Sequence, residues 1–122
     1  MTKDHLKKYL FLIQGAYTLL TGLWALLDIS SFMAVTGPKT DLWLVKTVSV
    51  LFLCIGLSFL AAHLKPGNSP VGTLLSVSTA LAVSGIDLYY SLRGIIAAVY
   101  IVDSAVQLVF LIWWIMILFA KK

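Results

Sequence analysis

The sequence predicts an all-α protein, a four-transmembrane-helix antiparallel bundle. Of the 122 residues, 61% are hydrophobic and 11% are charged, whereas a soluble domain averages about 45–50% apolar and about 25% charged residues. The mean hydropathy is +1.00. The apolar runs reach roughly 20 residues, which is the length that crosses a hydrocarbon core of about 30 Å. We therefore expect a single integral membrane domain over residues 1–122.

The first helix is predicted over about residues 8–30. Three lysines precede its apolar run, but the run is too long for the core of a signal peptide. Gly15, Thr18 and Gly22 fall on one helix face, and such small residues let another membrane helix approach closely. Gln14 lies beside this face and could form a hydrogen bond to a neighbouring helix.

The second and third helices are predicted over about residues 41–63 and 71–92. Pro38 cannot continue a helix, and Asp41 could cap the next one. Lys46 lies about 7 Å along the axis from Asp41 at roughly 1.5 Å per residue, so its side chain could reach the membrane surface or point inward. On the third helix a stripe of small residues at 76, 80 and 84 leads to Asp87.

The fourth helix is predicted over about residues 96–120, after a very short connection at Arg93 and Gly94. Tyr100, Asp103 and Gln107 share one face of it at spacings of three and four. Trp113 and Trp114, near its other end, are predicted to lie in an interfacial aromatic belt.

Four spans place both termini on one side of the membrane. That side collects six lysines, at positions 3, 7, 8, 65, 121 and 122, against Lys39, Lys46 and Arg93 on the opposite side. Because positive residues are retained on the cytoplasmic side, both termini are predicted to be cytoplasmic.

The same topology brings four carboxylates to the outer half of the bundle: Asp28, Asp41, Asp87 and Asp103. Ionisable groups at membrane depth are costly and mark candidate functional sites. Two interpretations remain open. In one, Lys46 and Arg93 form ion pairs with Asp87 and Asp103 that lock the helix ends.

In the other interpretation the charges surround a pocket lined by Trp43, Tyr89, Tyr90 and Tyr100, which opens outward or laterally to lipid. The predicted ligand-binding residues are Lys46, Asp87, Tyr90, Arg93, Tyr100, Asp103 and Gln107.

Several other site types are excluded. Cys54 is the single cysteine, which excludes an intrachain disulfide and a thiolate cluster. His5 and His63 have no partner at metal-binding spacing. No basic stripe with interleaved aromatics suggests nucleic-acid binding. We therefore predict no metal and no cofactor, and no catalytic residue is assigned.

Two segments, TGPKTDLWLVKT at 36–47 and GIDLYYSLRGIIAAVYIVDSAVQ at 85–107, resemble the DoxX-like superfamily of small bacterial four-helix membrane proteins, especially its uncharacterised branch. The matching positions are Asp87, Tyr90, Arg93, Gly94, Ile96, Tyr100 and Asp103. Gln107 stands where the branch has an acid, which weakens an acid–base mechanism. The resemblance implies a bacterial plasma (inner) membrane location, and no reaction.

We expect the protein to bind a lipid-like or quinone-like small molecule in this outer half, or to act as an accessory membrane subunit, with membrane lipids as further partners. One alternative is a membrane enzyme that uses Asp87 or Asp103 as acid or base on a lipophilic substrate. Another is a small dimeric transporter, although the acids lie toward one face. The sequence does not decide whether the chain forms a homodimer or joins a partner subunit.

Overall fold

The computed structural model describes residues 3–119, and all regular structure in that range is helical. The helices, in chain order, are α1 (Lys3–Leu27), α2 (Ile29–Thr36), α3 (Leu42–Leu64), α4 (Pro70–Leu92) and α5 (Val99–Phe119), with one 3₁₀ turn at Pro66–Asn68. All but α2 are long and apolar enough to cross a membrane. The predicted fold class is confirmed, and the chain is a multi-pass integral membrane protein.

The helix α2 was not predicted, because Asp28 was assigned to an extension of the first helix. Instead, α1 ends at Leu27 and the Asp28 side chain caps α2 by accepting a hydrogen bond from the Ser31 backbone N–H at 3.2 Å. An aspartate that satisfies the free N–H groups of a new helix favours such a break. Gly37, with φ of 100°, then ends α2.

The connection between α4 and α5 is longer than predicted. It runs over residues 93–98, and α5 begins at Val99 rather than near 96. The Tyr90 carbonyl accepts hydrogen bonds from the Ile95 and Ile96 N–H groups at 3.0 and 3.4 Å. Gly94, with φ of 72°, takes the left-handed conformation that this turn requires.

Helices α1 and α3 form the closest pair in the bundle, and the small face of α1 packs against α3 within this chain. A Cβ atom on Gly22 would lie 2.6 Å from the Ser49 carbonyl oxygen, and one on Gly56 would lie 2.7 Å from the Leu19 backbone nitrogen. Glycine therefore permits backbone contact from both sides of this interface.

Helices α4 and α5 form the second close pair, and Gln14 joins it to α1. The fully buried Gln14 donates from Nε2 to the Ser76 carbonyl at 3.0 Å and accepts from Trp114 Nε1 at 3.0 Å. The interhelical role expected for Gln14 is confirmed. The interfacial position predicted for Trp114 is wrong, because its ring is fully buried and packs edge-on against Phe11 with centroids 4.9 Å apart.

The antiparallel order gives the bundle two distinct ends. At one end the start of α1 packs against the 3₁₀ turn, and His63 Nδ1 lies 2.8 Å from the Lys8 carbonyl oxygen. At the other end lie α2, the end of α4 and the start of α5; we call this the α2 end. Lys121 and Lys122, which were part of the predicted cytoplasmic lysine set, lie outside the described residues.

Candidate functional site

A cavity of about 640 Å³ lies at the α2 end, between the α1–α3 pair and the α4–α5 pair. Most of its lining is apolar and comes from all five helices. The apolar lining residues are Leu20, Trp24, Phe32, Val35, Val48, Phe52, Ala82, Val83, Ile86, Val99 and Val102. The polar lining residues are Tyr17, Thr21, Thr36, Asp87, Tyr100 and Asp103.

Two carboxyl groups face each other in this cavity. Asp87 is only 7% exposed, and its Oδ2 is buried with no hydrogen-bond partner. The Asp103 carboxyl is its neighbour, close enough for the two groups to interact directly. Asp103 Oδ1 accepts a hydrogen bond from the Tyr17 hydroxyl of α1. The site thus contains a carboxyl pair in which Asp103 accepts from Tyr17, while Asp87 has Asp103 as its polar neighbour.

A buried hydrogen bond between α4 and α5 sets the position of Asp87 relative to Asp103. Ser104 Oγ donates to the Ser84 carbonyl at 3.0 Å, which fixes the register of the two antiparallel helices. Asp87 follows Ser84 by one turn toward the α2 end, and Asp103 precedes Ser104 by one residue in the same direction. The two acids therefore reach the same level of the bundle.

The hydroxyl groups of the cavity are mostly engaged inside the protein. Thr21 Oγ1 donates to the Tyr17 carbonyl and Thr36 Oγ1 donates to the Phe32 carbonyl, both at 2.8 Å. The Tyr17 hydroxyl donates to Asp103. Because a hydroxyl carries one proton, these three groups offer the cavity only their lone pairs. The Tyr100 hydroxyl makes no hydrogen bond within residues 3–119.

The Lys39 ammonium lies close to the cavity lining; the sequence placed Lys39 among the outer-side cations but not among the predicted ligand-binding residues. Its Nζ lies 5.8 Å from the centre of the Phe32 ring and 5.4 Å from that of the Tyr100 ring. The same ammonium lies 3.4 Å from the Thr36 and Gly37 carbonyl oxygens. Lys39 therefore covers the rim of the cavity with its charge directed at ring faces and carbonyls.

Of the predicted site residues, the structure brings Asp87, Tyr100 and Asp103 together in the cavity. Gln107 is buried one turn from Asp103 and does not line the cavity, and its Oε1 has no donor. Tyr90 packs edge-on against Tyr89, with ring centroids 5.0 Å apart, outside the cavity lining.

The two predicted cations are elsewhere. Lys46 is exposed on α3, and Arg93 is exposed beyond the end of α4. The Arg93 guanidinium stacks on the Tyr89 ring at 5.4 Å and donates to its hydroxyl at 3.2 Å. No ion pair joins either cation to Asp87 or Asp103, all four of which lie in the described part of the chain. The interpretation in which ion pairs lock the helix ends is wrong, because Arg93 lies beyond the end of α4 and Lys46 is exposed on α3.

The other carboxylates of the predicted cluster are also separate from the cavity. Asp28 and Asp41 are exposed at the N-cap positions of α2 and α3. The Asp28 side chain forms a capping hydrogen bond, whereas the one expected of Asp41 is not formed. Trp43 and Tyr89, which we expected in the pocket wall, are 69% and 54% exposed and do not line it.

Four lining residues of α1 were missed: Tyr17, Leu20, Thr21 and Trp24. A signal was present, because Gln14, Tyr17 and Thr21 recur at spacings of three and four and so share one helix face. That stripe is partly buried along its length.

Within residues 3–119 no group of three His, Cys, Asp or Glu side chains is placed to hold a metal ion. No family model, curated protein or solved structure matches this chain. The chemistry of the cavity is therefore the basis for a functional proposal. It can hold an apolar body in van der Waals contact and one polar group against a carboxyl pair.

Proposed function

We propose that this membrane protein binds a lipid-like small molecule in the cavity at the α2 end. The observation that carries the proposal is the carboxyl pair of Asp87 and Asp103, which lines an apolar space of about 640 Å³. Ionisable residues inside a membrane protein are costly and are expected to serve a site. A ligand that places a polar group against the carboxyl pair and fills the apolar space gives both features a role.

The volume supports a small ligand. Ligand cavities typically occupy about 300–1,000 Å³ and combine apolar walls with a few polar groups. Packing between membrane helices does not require a carboxyl pair, since interhelical polar contacts contribute only about 0.6 kcal/mol on average. The hydrogen bonds of Gln14 and Ser104 already join the helices.

The route into the cavity is lateral. Leu20 and Val48 line it from the α1–α3 pair, Ile86 and Val102 line it from the α4–α5 pair, and all four side chains are at least 45% exposed. In a bilayer these exposed side chains contact lipid tails, so a membrane-dissolved molecule reaches the cavity between the two helix pairs without crossing water.

The cellular setting proposed for this site follows the lysine distribution and the DoxX-like resemblance. The chain lies in a bacterial plasma membrane with both termini cytoplasmic, so the cavity is in the outer leaflet half. It acts alone or as an accessory subunit of a larger membrane complex.

The test is recovery of bound lipid from purified protein. Ala82→Trp places an indole in the cavity wall, whereas the matched change Ala105→Trp lies on an exposed part of α5 outside the lining. We expect wild type and Ala105→Trp to retain the same lipid after detergent extraction, identified by mass spectrometry, and Ala82→Trp to lose it. Equal lipid content in all three proteins, each with an intact fold, would refute the proposal.

A membrane enzyme is the second candidate, and the carboxyl pair favours it. Two neighbouring carboxyl groups in one apolar cavity are a recurring arrangement for acid–base chemistry. Extracted ligand that changes chemically during prolonged incubation with wild type, but not with Asp103→Asn, would favour turnover over binding. Transport is less well supported, because the cavity acids lie toward one end of the bundle.

A further inference from the structure

We infer that the ligand of this cavity is a single-chain amphiphile with a protonated amine head group, which binds at Asp87 and Asp103. This inference rests on the proposed function and specifies the chemistry of its ligand. It depends on which polar groups of the cavity still offer a proton and which still need one.

Almost all the polar groups of the cavity that remain free to bind a ligand are hydrogen-bond acceptors. The hydroxyl protons of Tyr17, Thr21 and Thr36 go to Asp103 and to two backbone carbonyls. The Tyr100 hydroxyl is the one lining hydroxyl without a hydrogen bond in the described range. The other polar groups of the lining are the lone pairs of the three engaged hydroxyls and the carboxyl groups of Asp87 and Asp103. A ligand that brings donors therefore fits this lining better than one that needs them.

The charge of the lining also favours a ligand with a positively charged donor group. Asp87 and Asp103 are its two carboxyl groups, and no lysine or arginine of the described residues lines the cavity. Lys46 and Arg93 are exposed outside it, and the Lys39 ammonium at the rim faces two carbonyls and two rings. Since buried charge is compensated by opposite charge, an ammonium group supplies both the missing charge and up to three donors.

The alternatives expected from the sequence fit less well. A quinone offers only carbonyl acceptors, and a fatty acid adds a third carboxylate beside the pair. A proton held between Asp87 and Asp103 would lie on the line that joins the two carboxyl groups, so it would not be available to such a ligand. An aliphatic alcohol brings one donor but no charge, and ranks between these and an amine.

One apolar chain suits the cavity better than two. Its volume of about 640 Å³ lies in the middle of the range that holds one drug-sized ligand. We therefore choose twelve-carbon probes with different head groups: dodecylamine, dodecanol and dodecanoate, together with decylubiquinone for the quinone class.

The experiment measures competition for one labelled probe in lipid nanodiscs at pH 7, where an alkylamine is protonated. The probe is dodecylamine with a diazirine in its tail, and labelled peptides are identified by mass spectrometry. We expect labelling of peptides from α1, α4 and α5 that line the cavity. Dodecylamine should compete at concentrations at least about tenfold lower than dodecanoate or decylubiquinone, as expected for loss of a charge-assisted hydrogen bond.

Two variants locate the head group. Asp87→Asn keeps the shape of the side chain but removes its charge, and should raise the competing dodecylamine concentration by about tenfold or more. Asp41→Asn removes an exposed carboxylate outside the cavity and should leave it unchanged. Thermal unfolding of each variant shows whether it is folded. If Asp87→Asn does not fold, the order in which the four competitors displace the probe from wild type tests the amine assignment.

The outcomes separate this inference from the proposed function. If all four competitors are equally effective, or if no cavity peptide is labelled, the amine assignment is overturned. The proposed function stands or falls on the lipid recovered from wild type and Ala82→Trp. Dodecanol that competes as well as dodecylamine would also overturn the assignment, because charge would then have no role.

Discussion

Replacing Gln14 by leucine tests the packing that positions the cavity. Gln14 makes two hydrogen bonds of 3.0 Å, one to the Ser76 carbonyl and one from Trp114 Nε1. At about 0.6 kcal/mol for each interhelical contact in a membrane, their direct loss costs about 1.2 kcal/mol. The Trp114 N–H is then left buried without an acceptor, which adds about 1–3 kcal/mol. We expect Gln14→Leu to lower the free energy of unfolding by about 2–4 kcal/mol.

Gln107→Leu is the matched control for this change. Gln107 is also buried, but its Oε1 has no donor, so leucine removes an unsatisfied oxygen and no hydrogen bond. We expect its free energy of unfolding to change by less than about 0.5 kcal/mol, or to rise. Both variants are measured by titrating dodecyl sulfate into mixed micelles while following helix content by circular dichroism. Equal losses for the two variants would refute this assignment of the hydrogen bonds.

Three further predictions use the same unfolding assay or a local probe. Gly22→Ala should destabilise the bundle by about 1–3 kcal/mol, because the new Cβ would lie 2.6 Å from the Ser49 carbonyl oxygen; an unchanged midpoint would contradict the close approach of α1 and α3. Tyr17→Phe removes the donor to Asp103 and should lower stability by about 0.6–1.5 kcal/mol, and no effect would mean that the two groups do not interact. Asp28→Ala removes the cap of α2, so hydrogen exchange should rise in α2 by an amount matching about 1 kcal/mol, and protection equal to wild type would contradict the capping role.

Much of the fold could be predicted from the sequence because each long helix is a continuous apolar run with turn formers on both sides. The bounds of α3 and α4 agree with prediction within one residue. The break at Asp28 could not be recognised from hydropathy, because α2 is itself largely apolar. It depends on one hydrogen bond from Ser31 to the Asp28 side chain, and Asp28 could equally have continued the preceding helix into the interface.

The sequence was sufficient to predict at which end of the bundle the candidate site lies, but only some of the residues that form it. Topology placed the acids at one end of the bundle, and helical spacing put Asp103 and Tyr100 on one face. The direction of long side chains was not predictable, because a lysine or arginine near a helix end can reach water along the membrane surface. Lys46 and Arg93 are both exposed on the outside of the bundle, which leaves Tyr17 as the residue that donates a hydrogen bond to Asp103.

The most direct test of the central proposal is a crystal structure of the protein grown in lipid with 12-bromododecylamine. Anomalous scattering from bromine locates the tail, and the remaining density locates the nitrogen. We predict one bromine peak inside the cavity between the two helix pairs and the amine nitrogen within hydrogen-bonding distance of the Asp87 or Asp103 carboxyl group. A cavity closed by its own side chains, with Asp87 paired to Arg93 or Lys46, would contradict the account.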